Sequence, residues 1–140
     1  MYLLDTNIFL ELLLNQERAD ECEKLLQNLH NGKLKGYVSA FALHSIEVIL
    51  EREGKQAALM AFLQDISESN NLKRFDTATF EEIEALKLAQ KLKLDFDDAI
   101  QYYICKSFRL KLVSFDKHFD NTDLKRIEPI EIINDLYFKI

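Results

Sequence analysis

Four carboxylates are spaced along the chain so that folding could bring them to one cation: Asp5, Glu47, Asp98 and Asp116. Asp5 ends the apolar run Tyr2-Leu3-Leu4, and Asp116 follows Leu112-Val113-Ser114-Phe115. Short apolar runs that stop at a charge read as buried strands. Asp98 falls in the first turn of a helix that Asp95 can cap. Glu47 sits among Ile46, Val48 and Ile49, on a helix expected to pack against a sheet. Each acid alone has an ordinary explanation. Aspartate caps helices, first-turn acids complement the helix dipole, and glutamate can reach out to solvent. That route needs four separate explanations. One Mg²⁺ or Mn²⁺ site covers all four, because both ions prefer hard oxygen ligands. A carboxylate in an apolar stretch is also costly unless it is paired or bound to metal.

The elements that must position these acids follow from periodicity. Strands are predicted at residues 2–4, 37–39, 72–75, 112–115 and 127–130. Pro129 would demote the last of these to a sheet edge. Helices are predicted over residues 7–14, 17–31, 41–53, 55–66, 79–93 and 95–107, with Gly32 and Gly54 as stops after the second and third. Thr79 with Glu82 three residues on suggests a capping box for the fifth helix. Residues 132–140 are apolar enough to dock on the domain or on a second copy. Strands alternating with helices predict an α/β domain, a three-layer α/β/α sandwich around a mainly parallel sheet of about five strands. In that class, ligands gather at the carboxyl ends of the strands, where Asp5 and Asp116 fall.

Composition narrows the function classes. The chain has 140 residues, enough for one domain spanning 1–140. Hydrophobic residues make up 48% and charged residues 30%, with three glycines and one proline, which excludes a disordered or collagen-like chain. Acids outnumber bases 24 to 18, so a sequence-independent DNA coater is disfavoured. Acids gathered on a metal can still act on nucleic acid, since the ion supplies the missing positive charge. Cys22 and Cys105 form no CxxC pair, and residues 1–5 carry no basic leader, so a reduced, cytoplasmic chain is expected. No apolar run approaches the roughly 18 residues of a membrane span. There is no Walker loop and no GxGxxG, and Asp5 does not open a DxD pattern, because position 7 is Asn.

The motif Asp5-Thr6-Asn7-Ile8-Phe9-Leu10, directly after the first strand, resembles the opening of PIN-domain nucleases. Glu47 in Ser45-Ile46-Glu47-Val48-Ile49-Leu50 matches that family's second acid, Asp98 in Phe96-Asp97-Asp98-Ala99-Ile100 its third, and Asp116 in Ser114-Phe115-Asp116-Lys117-His118-Phe119 its fourth. In length and layout the chain is similar to VapC-type toxins of toxin–antitoxin pairs. The resemblance implies a Mg²⁺- or Mn²⁺-dependent endoribonuclease, an RNA substrate cut to 5′-phosphate and 3′-hydroxyl ends, a homodimer and an inhibitory antitoxin. An RNA-processing PIN nuclease without an antitoxin, and a PIN module that binds without cutting, are the alternatives.

On this reading Asp5 and Asp98 bind the metal directly, Asp116 completes the shell or holds a second ion, and Glu47 orients a water. Asp97 adjoins Asp98 as an alternative ligand. Asn7 and Ser114 are auxiliary candidates, able to bond a ligand carboxylate or a phosphate. Lys117 and His118 are candidates for substrate contact. Lys106, Arg109, Lys111, Lys125 and Arg126 read as solvated surface. The stretches 9–14 and 62–66 could line a groove for a partner helix. Tyr102, Tyr103 and Tyr137-Phe138 are candidates for a dimer contact.

Overall fold

The architecture comes from a computed structural model that describes residues 1–138. Strand β1 (Tyr2–Leu4) leads through Asp5 into α1 (Thr6–Leu13), followed by α2 (Ala19–His30) and β2 (Gly36–Ser39). Next come α3 (Ala40–Arg52), α4 (Gln56–Glu68), β3 (Leu72–Phe75), α5 (Thr79–Leu92) and α6 (Phe96–Phe108). Strand β4 (Lys111–Val113), a 3₁₀ turn (Lys117–Asn121), β5 (Arg126–Ile127) and α7 (Pro129–Phe138) complete the order. The five strands form one sheet in the order β3-β2-β1-β4-β5, and every pairing is parallel. The expected three-layer α/β fold is therefore present.

Strand periodicity builds the two cores. Successive strand side chains point to opposite faces. Leu3 and Leu4, both fully buried, accordingly enter different clusters. Leu4 and Val113 pack with Ile8, Phe9, Leu25, Leu43, Ile46 and Leu50, from α1, α2 and α3. Leu3 and Leu112 pack with Ile100, Ile104 and Phe119, under α6 and the 3₁₀ turn. Each cluster contains one free cysteine, whose thiol burial pushes up to about 12. Both behave as small hydrophobes.

Gly36 sits at a close approach between β2 and β1. A Cβ there would meet the Tyr2 carbonyl oxygen at 3.0 Å and Leu4 Cδ1 at 3.2 Å. Gly32 has a φ of +79° and follows α2, as its role of stop requires. Ser39 Oγ accepts from Ala42 N at 3.1 Å and so caps α3.

Three local expectations are corrected. The fifth strand stops at Ile127, and Pro129 opens α7 instead of lying in the sheet. Proline suits that first helical position, where its missing N–H would have no helical partner anyway. Glu131 accepts from Glu128 N at 2.8 Å, completing the helix start. Secondly, the reciprocal bond at the start of α5 runs from Ala78 N to Glu81 at 2.8 Å, one residue earlier than the Thr79/Glu82 pair. Thr77 Oγ1 takes up Glu82 instead. Thirdly, the fourth strand stops at Val113, two residues short of the expected Phe115, and Asp116 caps the 3₁₀ turn instead. Tyr102 and Tyr103 each bond within this chain. Tyr102 is buried and donates to Asp123 at 2.6 Å, and Tyr103 donates to Glu81 at 3.4 Å. Ile132 and Ile133 are buried, so α7 docks on the domain as the apolar tail suggested, while residues 139 and 140 of that tail lie outside the described residues. Among the described residues no helix is long and apolar enough to cross a membrane.

Arg18 ties the carboxyl edge to α7. Its guanidinium bonds Glu21 and Glu128, and lies 4.2 Å from the centre of the Phe115 ring. The stretches 9–14 and 62–66 do converge: Phe9, Leu12, Leu13, Phe62 and Ile66 line one largely apolar groove of ≈ 690 Å³.

Because β1 feeds both cores, Leu3→Ala and Leu4→Ala should each lower unfolding free energy by about 2–5 kcal/mol, the range for buried leucine truncations. Urea denaturation followed by circular dichroism measures this. A loss below 1 kcal/mol for either variant would contradict the two-core packing.

Candidate active site

The site is assembled where β1 and β4 end side by side. Asp5 N donates to Val113 O at 3.0 Å, so the ladder carries on one residue past β1 and fixes the Asp5 backbone. The Asp5 side chain then turns back as the N-cap of α1, accepting from Thr6 N at 2.9 Å. Two further donors hold it: Gln101 Nε2 at 3.1 Å and Ser114 Oγ at 2.6 Å. Ser114, fully buried, is the hub of this edge. Its hydroxyl donates to Asp5 and accepts from Asp116 N at 3.0 Å and Asn7 Nδ2 at 3.4 Å. Asn7 Oδ1 in turn accepts from Phe115 N at 3.4 Å. Asn7 and Ser114 therefore act on the carboxylates and the loop that carries them.

Asp98 arrives from the opposite layer, in the first turn of α6. Asp116 caps the 3₁₀ turn, accepting from His118 N at 2.9 Å. His118 Nδ1 lies 3.1 Å from Asp116 Oδ1 and 3.5 Å from Asp98 Oδ2. The Asp98, Asp116 and His118 donor atoms all lie within 4.8 Å of one another. Asp5, Asp97, Asp98, Asp116 and Gln101 line one open cleft of ≈ 270 Å³, which α1 and α3 wall with Leu10, Phe41, Ser45 and Ile49.

The electrostatics are those of crowded carboxylates. Burial raises the Asp5 carboxyl above its ordinary value, against the bonds from Ser114, Gln101 and Thr6, and Asp116 adds to the rise. Asp98 is pushed up to about 7, first by burial and then by the negative charge of Asp116, Asp97 and Asp5, with His118 opposing. His118 is raised, chiefly by Asp116. Gln101 Oε1 is buried with no hydrogen-bond partner, the one such side-chain atom among the described residues. Hard oxygen donors, mutual repulsion and an unused amide oxygen fit a divalent cation at Asp98 and Asp116, with Asp5 lining the same cleft.

The structure does not bring Glu47 to this cluster. Its carboxylate bonds His44 Nδ1 at 2.9 Å, one helical turn back. The cleft is lined by the Phe41, Ser45 and Ile49 face of α3, and Glu47 lies about 200° of helical rotation from Ser45. Asp97 lines the mouth beside Asp98. Lys117 and His118 are exposed at the rim, beside Asp116. Arg126, read from sequence as solvated, is instead largely buried, bonded to Asp120, Glu128 and the Ser114 carbonyl. Gln101 was missed by sequence reasoning. Its signal is a polar residue three positions after Asp98, on the same face of an otherwise apolar helix.

The sequence matches the PIN domain family over residues 2–125, and the chain belongs to that family. Among solved structures it is similar to VapC20 of Mycobacterium tuberculosis, a sarcin–ricin-loop-cleaving toxin. The TM-score is 0.77 at 16% identity, covering 92% of this chain and 100% of that one. A toxin–antitoxin complex from Klebsiella pneumoniae aligns with a TM-score of 0.70 at 18% identity, over 92% and 98% of the two chains. VapBC2 from Rickettsia felis, bound to a DNA fragment of its promoter, aligns at 0.63 and 19%, over 89% and 97%. At these identities the likeness is one of fold. Comparison with curated protein sequences gives no match.

The raised Asp98 value sets a pH dependence for the metal-free protein. Between about pH 4 and 7 the folded chain keeps an Asp98 proton that the unfolded chain has released, so stability falls as pH rises through that window. His118 acts in the same direction, since the benefit of its charged form is lost as pH rises through its raised folded value. Thermal melts in EDTA should therefore show wild type losing stability from pH 5 to pH 8. Asp98→Asn should lose less and be the more stable protein at pH 8. A wild-type melting temperature that rises across this range would contradict the carboxylate crowding.

Proposed function

We propose that this chain is a Mg²⁺- or Mn²⁺-dependent endoribonuclease, the toxin of a VapBC-type toxin–antitoxin pair acting in the cytoplasm. The observation that carries the reading is the convergence of Asp5, Asp98 and Asp116 in one open cleft at the carboxyl edge of the sheet. Membership of the PIN family and the fold shared with toxin structures support it.

Asp5, Asp98 and Asp116 would hold the cation, with Asp97 at the mouth. When bound, the ion supplies Lewis acidity, lowers the pKa of a water and offsets phosphate charge. The chain's own groups do the rest. Ser114 and Gln101 hold the Asp5 carboxylate in one orientation, since both its oxygens are bonded. Leu10, Phe41 and Ile49 give the open cleft one apolar wall. Lys117 and His118 stand where they can meet a phosphate of a single RNA strand. Glu47 takes no part, because its carboxylate is turned to His44.

Two surfaces support the partners. The groove between α1, α2 and α4 is apolar at its base and carries Glu23 and Asp65 among its lining residues, which suits an amphipathic antitoxin helix with basic flanks. On α5, Phe80, Ile83 and Leu86 are 69%, 51% and 48% exposed, a stripe suited to a second copy.

Purified antitoxin-free protein should cut a mixed single- and double-stranded RNA panel with Mg²⁺ or Mn²⁺ and not with EDTA. Asp5→Asn and Asp98→Asn, checked for fold by circular dichroism, should lose at least about 100-fold, the upper end for loss of a supporting partner around a metal. Glu47→Gln should cut within about threefold of wild type. Metal-independent cutting, or a dead Glu47→Gln protein that is folded, would sink this account of the site. Size-exclusion chromatography with light scattering checks the dimer. Wild type should run at twice the mass of 16.4 kDa, and Ile83→Lys at one mass. A dimeric Ile83→Lys protein would move the interface off α5.

A further inference from the structure

We propose that His118 supplies a nitrogen ligand, through Nδ1, to the cation held by Asp98 and Asp116, and that this donor set favours a first-row transition ion over Mg²⁺. The proposal rests on the metal centre of the nuclease reading and specifies its ion.

Neighbouring donors around an octahedral ion with bonds of about 2.1 Å lie roughly 3.0 Å apart. Around a tetrahedral ion with similar bonds they lie roughly 3.4 Å apart. His118 Nδ1 is 3.1 Å from Asp116 Oδ1 and 3.5 Å from Asp98 Oδ2. The two separations that involve His118 are those of coordination edges, and the three donor atoms all lie within 4.8 Å of one another.

The backbone holds the ring there. Asp116 caps the turn through His118 N at 2.9 Å, and the next residue, Phe119, is fully buried in the Leu3 core. His118 is thus pinned between an N-cap bond and a core anchor, while its ring reaches back over the carboxylates. Its side chain is 69% exposed, so core packing does not explain the inward turn of Nδ1. Imidazole is a good ligand for first-row transition ions, whereas Mg²⁺ strongly prefers oxygen. A site of carboxylates alone would discriminate little between the two classes.

The competing explanation is that the ring is only a counter-ion, occupying the cation's place. The two predict opposite signs. Removing a ligand weakens metal binding, and removing a competing positive charge strengthens it.

The experiment is pulsed electron paramagnetic resonance of Mn²⁺ bound to the full chain, together with calorimetric titration by Mn²⁺ and by Mg²⁺. Wild type, His118→Ala and Asp98→Asn are compared. The expected result is ¹⁴N coupling to bound Mn²⁺ in wild type, lost in His118→Ala, with Mn²⁺ affinity down on the order of 10-fold, comparable to other losses around a metal. Mg²⁺ affinity should change by less than about threefold. Bound Mn²⁺ without ¹⁴N coupling, or tighter Mn²⁺ binding by His118→Ala, would overturn the ligand role and leave the three-carboxylate centre standing. Mn²⁺ bound equally by wild type and Asp98→Asn, or by neither, would overturn both.

Discussion

A carboxylate buried at the carboxyl end of the central strand organises the rest of the molecule. Asp5 is 7% exposed, and an ionised acid there is costly unless donors surround it. Three donors do so, one from each of the neighbouring elements: Thr6 of α1, Gln101 of α6 and Ser114 beyond β4. Satisfying this one group joins the helix that follows β1, the helix on the opposite layer and the strand beside it. The two cores set the distances that make those bonds possible. Leu4 and Val113 press on one face, and Leu3 and Leu112 on the other.

The same arrangement leaves charge unbalanced. Three donors offset part of the burial of Asp5, but Asp98 and Asp116 add charge with only His118 to oppose it. A fold selected for stability alone would replace such a cluster or pair it with an arginine. Here Arg126, which reaches the Ser114 carbonyl, is spent on Asp120 and Glu128. It braces the loop between Asp116 and β5 without neutralising the cleft. The cluster stays short of positive charge while its backbone is held firmly, the condition for a site that receives a cation with little rearrangement.

The α3 wall shows how one helix can mislead a reading by motif. Glu47 lies in a stretch with apolar neighbours on both sides, so its embedding was legible. Its direction was not. Residues Phe41, Ala42, Leu43, Ile46, Val48, Ile49 and Leu50 leave α3 apolar around most of its circumference, and several azimuths look equally suited to a core. Packing against β1 and α1 buries Leu43, Ile46 and Leu50 fully, which turns Ser45 to the cleft and leaves Glu47 to His44.

What the amino-acid sequence determined by itself was local. The strand-ending position of Asp5, the placement of Asp116 just beyond the fourth strand, the first-turn position of Asp98, the alternation of strands and helices and the stop at Gly32 all rest on contacts within a few residues. Tertiary structure decided what depends on contacts across the chain. Gln101 is 96 positions from the carboxylate it bonds, and Ser114 is 109. The inward turn of His118, the internal use of Tyr102 and the placement of α7 after Pro129 are of the same kind. Sequence periodicity specifies that a face is buried, but the partner it meets is set by how the two layers close on the sheet. The residues that surround the acids were therefore visible only once those layers were in place.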